Sequence, residues 1–498
     1  MGFIQKSALR MMVITTLGLL LGYLNKGILF VLILNSEEIG LLNLLVSVGL
    51  LFSQLANLGA VNVISKFAPF FNGNQEQRQS FLSLNIFLVI AGIIIFTLIT
   101  LLLNNQITYF YGEKSALFVK YFYWILPIGI ANVFFLIFEA HLRSRFNNIL
   151  AVFLNDFLVR VLVTLSLILY TADIINFHYL LVINCLLYFI PAFILFFYLL
   201  KTKELSFNNN RLKISRKFKK VIFNFSLFIY SNSIVGLFVL TMDALMITYF
   251  LGLKATGIYT TITFLTNAVQ IPYRALFRIA SPLVPQYWKE KNMVKMNELY
   301  KQVSSISLII ALFLFLLIWV NRIELFSFLP KEYNEGIYVF LFLMIGRAID
   351  MYSGLNTVIF ITSKKFKYEM IFTVILPFLV FFLNCWLIPS LGVIGAAIST
   401  SFALIVYNVG RMLFILFAYK LHPFEKKQIY VILLFISLLG LFYFLPNFGV
   451  NKYLSLVINS TAALVLFMGI IIKLKWNNDL NEYIKNTYAT FFKKGLKA

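Results

Sequence analysis

The chain is 498 residues long, 61% of them hydrophobic and only 12% charged, with a formal net charge of +23. Soluble domains run near half apolar and one-quarter charged, so this composition, with its mean hydropathy of +0.89, excludes a soluble enzyme and a disordered chain. A membrane-spanning helix takes roughly 20 apolar residues, and the chain has room for about fourteen of them with loops to spare.

Apolar runs bounded by polar, Pro or Gly residues fall at 11–34, 39–65, 81–103, 117–138, 147–170, 178–200, 221–250, 256–285, 303–320, 336–361, 370–387, 392–419, 429–446 and 453–472, numbered spans 1 to 14 in chain order. The runs are continuously apolar rather than alternating, which predicts an all-α polytopic membrane protein and not a barrel. Met11 to Leu34 is too long for a secretory h-region and has no small-residue cleavage site, which predicts a retained span. The run at 256–285 contains Pro272 and Pro282 and should tilt or kink. Lys201 to Lys220 carries eight Lys/Arg against Glu204 alone and divides the chain after six spans. The predicted division is 1–203 with spans 1–6, 204–420 with the basic linker and spans 7–12, and 421–498 with two further spans and a tail. In that tail Trp476, Leu480, Ile484, Tyr488 and Phe491 recur at helical spacing, which predicts a helix lying on the inner leaflet.

Orientation follows from the loop cations. With the N-terminus inside, the inner segments hold 30 Lys/Arg and the outer loops 5. Both termini are therefore expected in the cytoplasm, and the excess charge faces anionic lipid headgroups rather than nucleic acid. The longest outer loop, 321–335, has 15 residues, too few for the external domain that a polysaccharide polymerase or ligase needs. Cys185 and Cys385 lie in apolar runs and are expected to pack, without a disulfide or a metal pair. His141, His178 and His422 sit at span ends, and no Walker loop, triad spacing or metal motif is visible. No catalysis and no cofactor are expected.

Asn35-Ser-Glu-Glu-Ile-Gly-Leu-Leu matches Gly252-Leu-Lys-Ala-Thr-Gly-Ile-Tyr at an offset of 217 residues. Each segment follows a span, reaches a glycine and opens another span. The offset predicts two parallel six-span halves, an arrangement in which transporters bind substrate between repeats. An intramembrane charge costs roughly 2.5–3.5 kcal/mol, so the charges inside spans must pair, snorkel or face a wet cavity. Asp156 with Arg160, and Arg347 with Asp350, have the spacing for pairing on one helix face. Arg278 and Arg411 are within snorkelling reach of the inner interface, and Lys120 lies at the outer one. Lys26 and Asp243 have no partner on their own helices and are related by the offset, as are Asn57 and Arg274. These positions predict a cavity shared by spans 1, 2, 7 and 8. Six cations, Lys26, Arg160, Arg274, Arg278, Arg347 and Arg411, face three acids. A cavity of that sign suits an anion, and Arg suits phosphate.

The stretch Met242-Asp243-Ala244-Leu245-Met246-Ile247, then Leu251-Gly252, Gly257-Ile258-Tyr259, Ile271-Pro272 and Pro282-Leu283-Val284-Pro285, resembles spans 7 and 8 of polysaccharide exporters. Glu37-Glu38-Ile39-Gly40-Leu41 resembles the corresponding part of the first half. These exporters belong to the multidrug/oligosaccharidyl-lipid/polysaccharide exporter superfamily. The resemblance spans residues 5 to 420, and its nearest branch is similar to the O-antigen flippases. It implies two six-helix lobes in a V and flipping of undecaprenyl-diphosphate-linked oligosaccharide units across a bacterial plasma membrane. O-antigen, capsule or exopolysaccharide synthesis would be the destination, with the polymerase of the same pathway as a partner. Lys26 and Arg274 would hold the diphosphate with Asn57 and Arg278 nearby, and Asp243 would balance Lys26 or bind a coupling Na+ or H+. Alternatives are a lipid II-type peptidoglycan precursor flippase, whose first two spans are richer in cavity arginine, and a multidrug–cation antiporter, whose cavity should carry surplus acid.

Overall fold

The computed structural model of the chain describes residues 2–71, 73–205, 215–444 and 451–474. The predicted tail helix beyond Lys475 and the middle of the basic linker lie outside these residues. All regular structure in the described residues is helical. Among them, twelve helices are long and apolar enough to cross a membrane, or thirteen when the bent pair Lys331–Tyr352 and Asn356–Thr362 is one span. The remaining expected span, the eighth, is broken into Leu253–Ala268 and Ile271–Ala280. Pro272 sits in the first turn of the second piece, where its missing N–H costs nothing, and Pro282 caps the next helix, Leu283–Glu290. The predicted kink is thus a break.

Polar side chains set the starts of spans. Asn35 opens span 2 (Ser36–Ala56) with a capping box: its side chain accepts from the Glu38 N–H, and Glu38 reaches back to the Asn35 N–H. Asn74, Asn176, Ser215 and Asn292 cap spans 3, 6, 7 and 9 in the simpler way. Each satisfies a helix-end donor that lipid could not. Span 2 ends in a turn where Gly59 has φ +81°, a conformation glycine adopts without a Cβ clash.

The chain divides into two compact units, Met1–Thr261 and Ile262–Ala498, with the division inside span 8. In the first unit Phe67, Phe71, Phe81, Phe138 and Leu195 build a core between spans 3, 4 and 6 and the Ala60–Phe71 segment. Span 7 (Arg216–Leu251) lies along this unit. Tyr230 Oη donates to the Leu55 carbonyl at 2.6 Å, and Lys114 Nζ donates to the Phe250 carbonyl at 2.7 Å, a cation on a helix C-terminus. In the second unit Tyr300, Ile359, Phe360 and Ile415 form the core.

Spans 2 and 8 cross at glycines within the first unit. A Cβ on Gly257 would overlap the Ser36 carbonyl, and a Cβ on Gly40 would overlap that of Leu253. Gly40 and Gly257, like Ser36 and Leu253, are 217 residues apart. The contact is therefore reciprocal: each glycine meets the carbonyl four residues before the other. Gly257→Ala should cost about 1–3 kcal/mol through overpacking against backbone that cannot move aside, read as a lower unfolding temperature in detergent.

Cys185 is buried, as expected of a packing residue, whereas Cys385 is exposed. Span 11 turns that side chain outward, so it packs no core.

The start of the basic linker is pinned to the first unit. Glu204 lies 3.5 Å from Arg78, 3.3 Å from His141 and 3.6 Å from Arg145, and Gln75 and Gln79 both donate to the Lys203 carbonyl. The hydrogen bond from His141, then the two arginines, hold the Glu204 carboxyl below its ordinary 4.5. A depressed carboxylate stabilises the fold fully above its unfolded pKa and loses that contribution as pH falls through the folded one. Acidification below about pH 4.5 should therefore weaken wild type more than Glu204→Gln, by differential unfolding against pH.

Candidate functional site

Two short π-helical segments interrupt the helices of the first unit, Leu24–Leu29 in span 1 and Phe153–Leu158 in span 5. Such wide turns re-aim side chains and gather at functional positions. Asn25, buried within the first, ties it to span 5 just past the second: its Nδ2 donates to the Arg160 carbonyl at 2.8 Å, and its Oδ1 accepts from Thr164 at 2.8 Å. Span 1 approaches span 5 through Gly18 and Gly22. A Cβ on Gly18 would strike the Asp156 carbonyl, and one on Gly22 would lie 3.1–3.3 Å from the Arg160 guanidinium.

This packing sets the Arg160 guanidinium against Gly22, one helical turn before Lys26 on span 1. Among the described residues neither cation forms an ion pair with a carboxylate. Lys26 Nζ instead donates to Asn43 Oδ1 of span 2 at 3.0 Å, and Arg160 Nη1 is buried without a hydrogen-bond partner. The expected pairing of Asp156 with Arg160 does not occur. Asp156 accepts from Thr15 at 3.2 Å and Asn155 at 3.1 Å. The π turn containing Asp156 shifts the helical register, so the four-residue spacing no longer brings the two side chains together.

The other predicted residues fall in varied places. Asp243 accepts from Tyr259 Oη at 2.6 Å. Asn57 is 1% exposed, and its amide serves the turn after span 2, donating to the Gln54 carbonyl and accepting from the Gly59 N–H. In the second unit Arg274 and Arg278 lie exposed on one face of Ile271–Ala280, with Arg274 Nη2 3.5 Å from Gln270 Oε1. Asp350 does not pair with Arg347. Its carboxylate takes amide protons from Gln270 at 2.9 Å and Asn408 at 3.2 Å, while Arg347 Nε is buried without a partner. Arg411 does not snorkel: it is 2% exposed, bound to Glu369 at 2.9 and 3.1 Å and stacked on Tyr407. Glu369, which the sequence places in a loop, belongs to the first turn of Glu369–Leu391. Asn43, Thr260 and Glu369 do not stand out in the sequence. Asn43 and Thr260 carry a signal even so, since each lies three residues past a repeat glycine.

Among the described residues no three His, Cys, Asp or Glu side chains gather as a metal site. The first unit offers instead two cations, the Lys26 ammonium held by the Asn43 amide and the Arg160 guanidinium with a buried N–H left over for an anion.

The family model described as polysaccharide biosynthesis protein matches residues 4–288. The chain belongs to this family. No curated protein matches it. Solved structures of transporters share the fold. The lipid II flippase MurJ has a TM-score of 0.66 at 16% identity, covering 95% of this chain and 99% of its own. An inward-facing multidrug resistance transporter of the superfamily has 0.60 at 15% identity, covering 81% and 97%. A superfamily transporter from Pyrococcus furiosus, described as having a binding pocket of reversed polarity, has 0.56 at 14% identity, covering 82% and 95%. This member of the polysaccharide biosynthesis family is thus an all-α, multi-pass membrane protein with the fold of these structures.

Proposed function

We propose that the protein flips a polyprenyl-diphosphate-linked glycan across a bacterial plasma membrane, by alternating access of two six-helix lobes with both termini in the cytoplasm. The observation that carries this is the Lys26–Arg160 pair. Two cations inside spans with no carboxylate partner among the described residues are costly unless an anion joins them, and a diphosphate supplies charge and acceptors for both. The second unit carries exposed cations of its own, Arg274 and Arg278, and in this reading the glycan travels through water while the polyprenyl chain stays in lipid. Asp243, held by Tyr259, is the acid available for coupling to Na+ or H+. A cationic-drug antiporter would place surplus acid where this protein has cation.

Membership of the polysaccharide biosynthesis family supports an oligosaccharide unit bound for O-antigen, capsule or exopolysaccharide, delivered to a polymerase. A lipid II-type precursor is the second reading, favoured because the likeness to MurJ covers 95% of this chain whereas that to the multidrug transporter covers 81%. Depletion of the protein, followed by mass spectrometry of lipid extracts, separates the two. Accumulation of an undecaprenyl-diphosphate oligosaccharide supports the first, accumulation of lipid II the second, and no change in either sinks both. The orientation predicts that a cysteine at Lys217 is shielded from an impermeant maleimide in intact cells and one at Asn334 is labelled; the reverse pattern would overturn it.

A further inference from the structure

A one-way chain of hydrogen bonds runs from the cation pair to the crossing of spans 2 and 8. Lys26 Nζ donates to Asn43 Oδ1 at 3.0 Å, Asn43 Nδ2 donates to Thr260 Oγ1 at 3.1 Å, and the Thr260 hydroxyl donates to the Thr256 carbonyl at 2.8 Å. An ammonium can only donate, so the Asn43 oxygen must face Lys26. The Thr260 proton is committed to its own helix, so its oxygen can only accept. The Asn43 amide therefore has one orientation, and Lys26 sets it.

Asn43 and Thr260 are 217 residues apart, and each lies about one turn from the glycine of its own helix at the crossing. The same offset thus relates the partners of a steric contact, Gly40 on Gly257, and of a polar tie, Asn43 to Thr260. The glycine contact needs only close approach. The tie is the part that senses Lys26.

We propose that Asn43 and Thr260 are positioning residues that couple occupancy of the Lys26 site to the junction of spans 2 and 8. While Lys26 is free of ligand, its ammonium fixes Asn43 and the junction is tied. When an anionic phosphate draws the ammonium away, the Asn43 oxygen loses its donor, the amide rotates and the tie to Thr260 is lost. The junction is then held by glycine packing alone and opens. This rests on the anion-site reading above. It goes further by naming the residues through which a bound anion reaches the helix crossing.

The test uses full-length protein in nanodiscs, with Cys185 and Cys385 replaced by Ala and spin labels at Glu37→Cys and Lys254→Cys. Both positions are exposed, flank the crossing and are related by the repeat. Electron double resonance reads the distance between them, and calorimetry reads binding of inorganic pyrophosphate. The expected result is a single short distance in the ligand-free protein and a second, longer population with pyrophosphate. Thr260→Val, which cannot accept the bond, should show the longer population without ligand, and Thr260→Ser should restore the short distance. Because the tie opposes binding, Thr260→Val should also bind pyrophosphate about fivefold or more tightly than Thr260→Ser. Pyrophosphate that binds normally without moving the distance, together with a Thr260→Val distance like wild type, would overturn the coupling and leave the anion site standing. A Thr260→Val junction that opens while pyrophosphate binds to no variant would overturn the coupling through failure of the anion site itself.

Discussion

Lys26→Ala and Arg160→Ala should each slow flipping by about 10- to 150-fold at unchanged protein level. A hydrogen bond to a charged group contributes about 1.5–3 kcal/mol, and each substitution removes one such partner from the diphosphate. Lys26→Arg should be mild, since that position supplies charge through an amide-held ammonium. Arg160→Lys should recover only part of the loss, because a point charge lacks the planar fork that grips two phosphate oxygens. Arg274→Ala should fall with the severe group and Arg274→Lys between. The alanine variants at Lys26 and Arg160 should carry a second signature. Each removes an intramembrane cation that has no carboxylate partner among the described residues, so the unfolding temperature without ligand should not fall. Loss of transport with equal or greater stability separates a binding role from a structural one.

Arg411→Met should destabilise the protein more than any of these changes, by about 3–5 kcal/mol, because it takes the guanidinium away from a largely buried Glu369 carboxylate and leaves it beside the Tyr407 hydroxyl. The double variant Arg411→Met with Glu369→Met should recover most of that, since replacing both partners of a buried pair by apolar groups is close to neutral. Unfolding in sodium dodecyl sulfate, followed by tryptophan fluorescence, would measure both. Equal losses in the single and double variants would show that the pair is not the source of the effect.

The helical spans were legible because lipid forces every backbone group to be satisfied within its own helix, so apolar runs translate directly into elements. The 217-residue offset was legible for the same reason that it matters: the glycines at the crossing admit no other residue. Pairing was not legible. Asp156 and Arg160 have a helical spacing, but a π turn breaks the geometry that the spacing assumes. Arg411 looked free because its partner, Glu369, stands 42 positions earlier, at the edge of a basic loop. Asn57 and Arg274 share the offset without sharing a role, since a turn after span 2 consumes the Asn57 amide while the matching stretch of span 8 breaks at Gln270 instead. Asn43 and Thr260 were hidden because neutral amides and hydroxyls inside apolar runs look like ordinary packing until a partner is in place.

The cation pair in spans 1 and 5 should be what carries a diphosphate across the membrane. Purified protein in proteoliposomes, loaded with a fluorescent polyprenyl-diphosphate oligosaccharide, tests this through the rate at which the headgroup becomes accessible to an external quencher. Transbilayer movement is expected with wild type, a rate near that of protein-free vesicles with Lys26→Ala/Arg160→Ala, and no acceleration of a neutral polyprenyl glycoside lacking phosphate. Equal rates for the wild-type and double-variant proteins, or equal movement of the neutral glycoside, would contradict a diphosphate-carrying role for the pair.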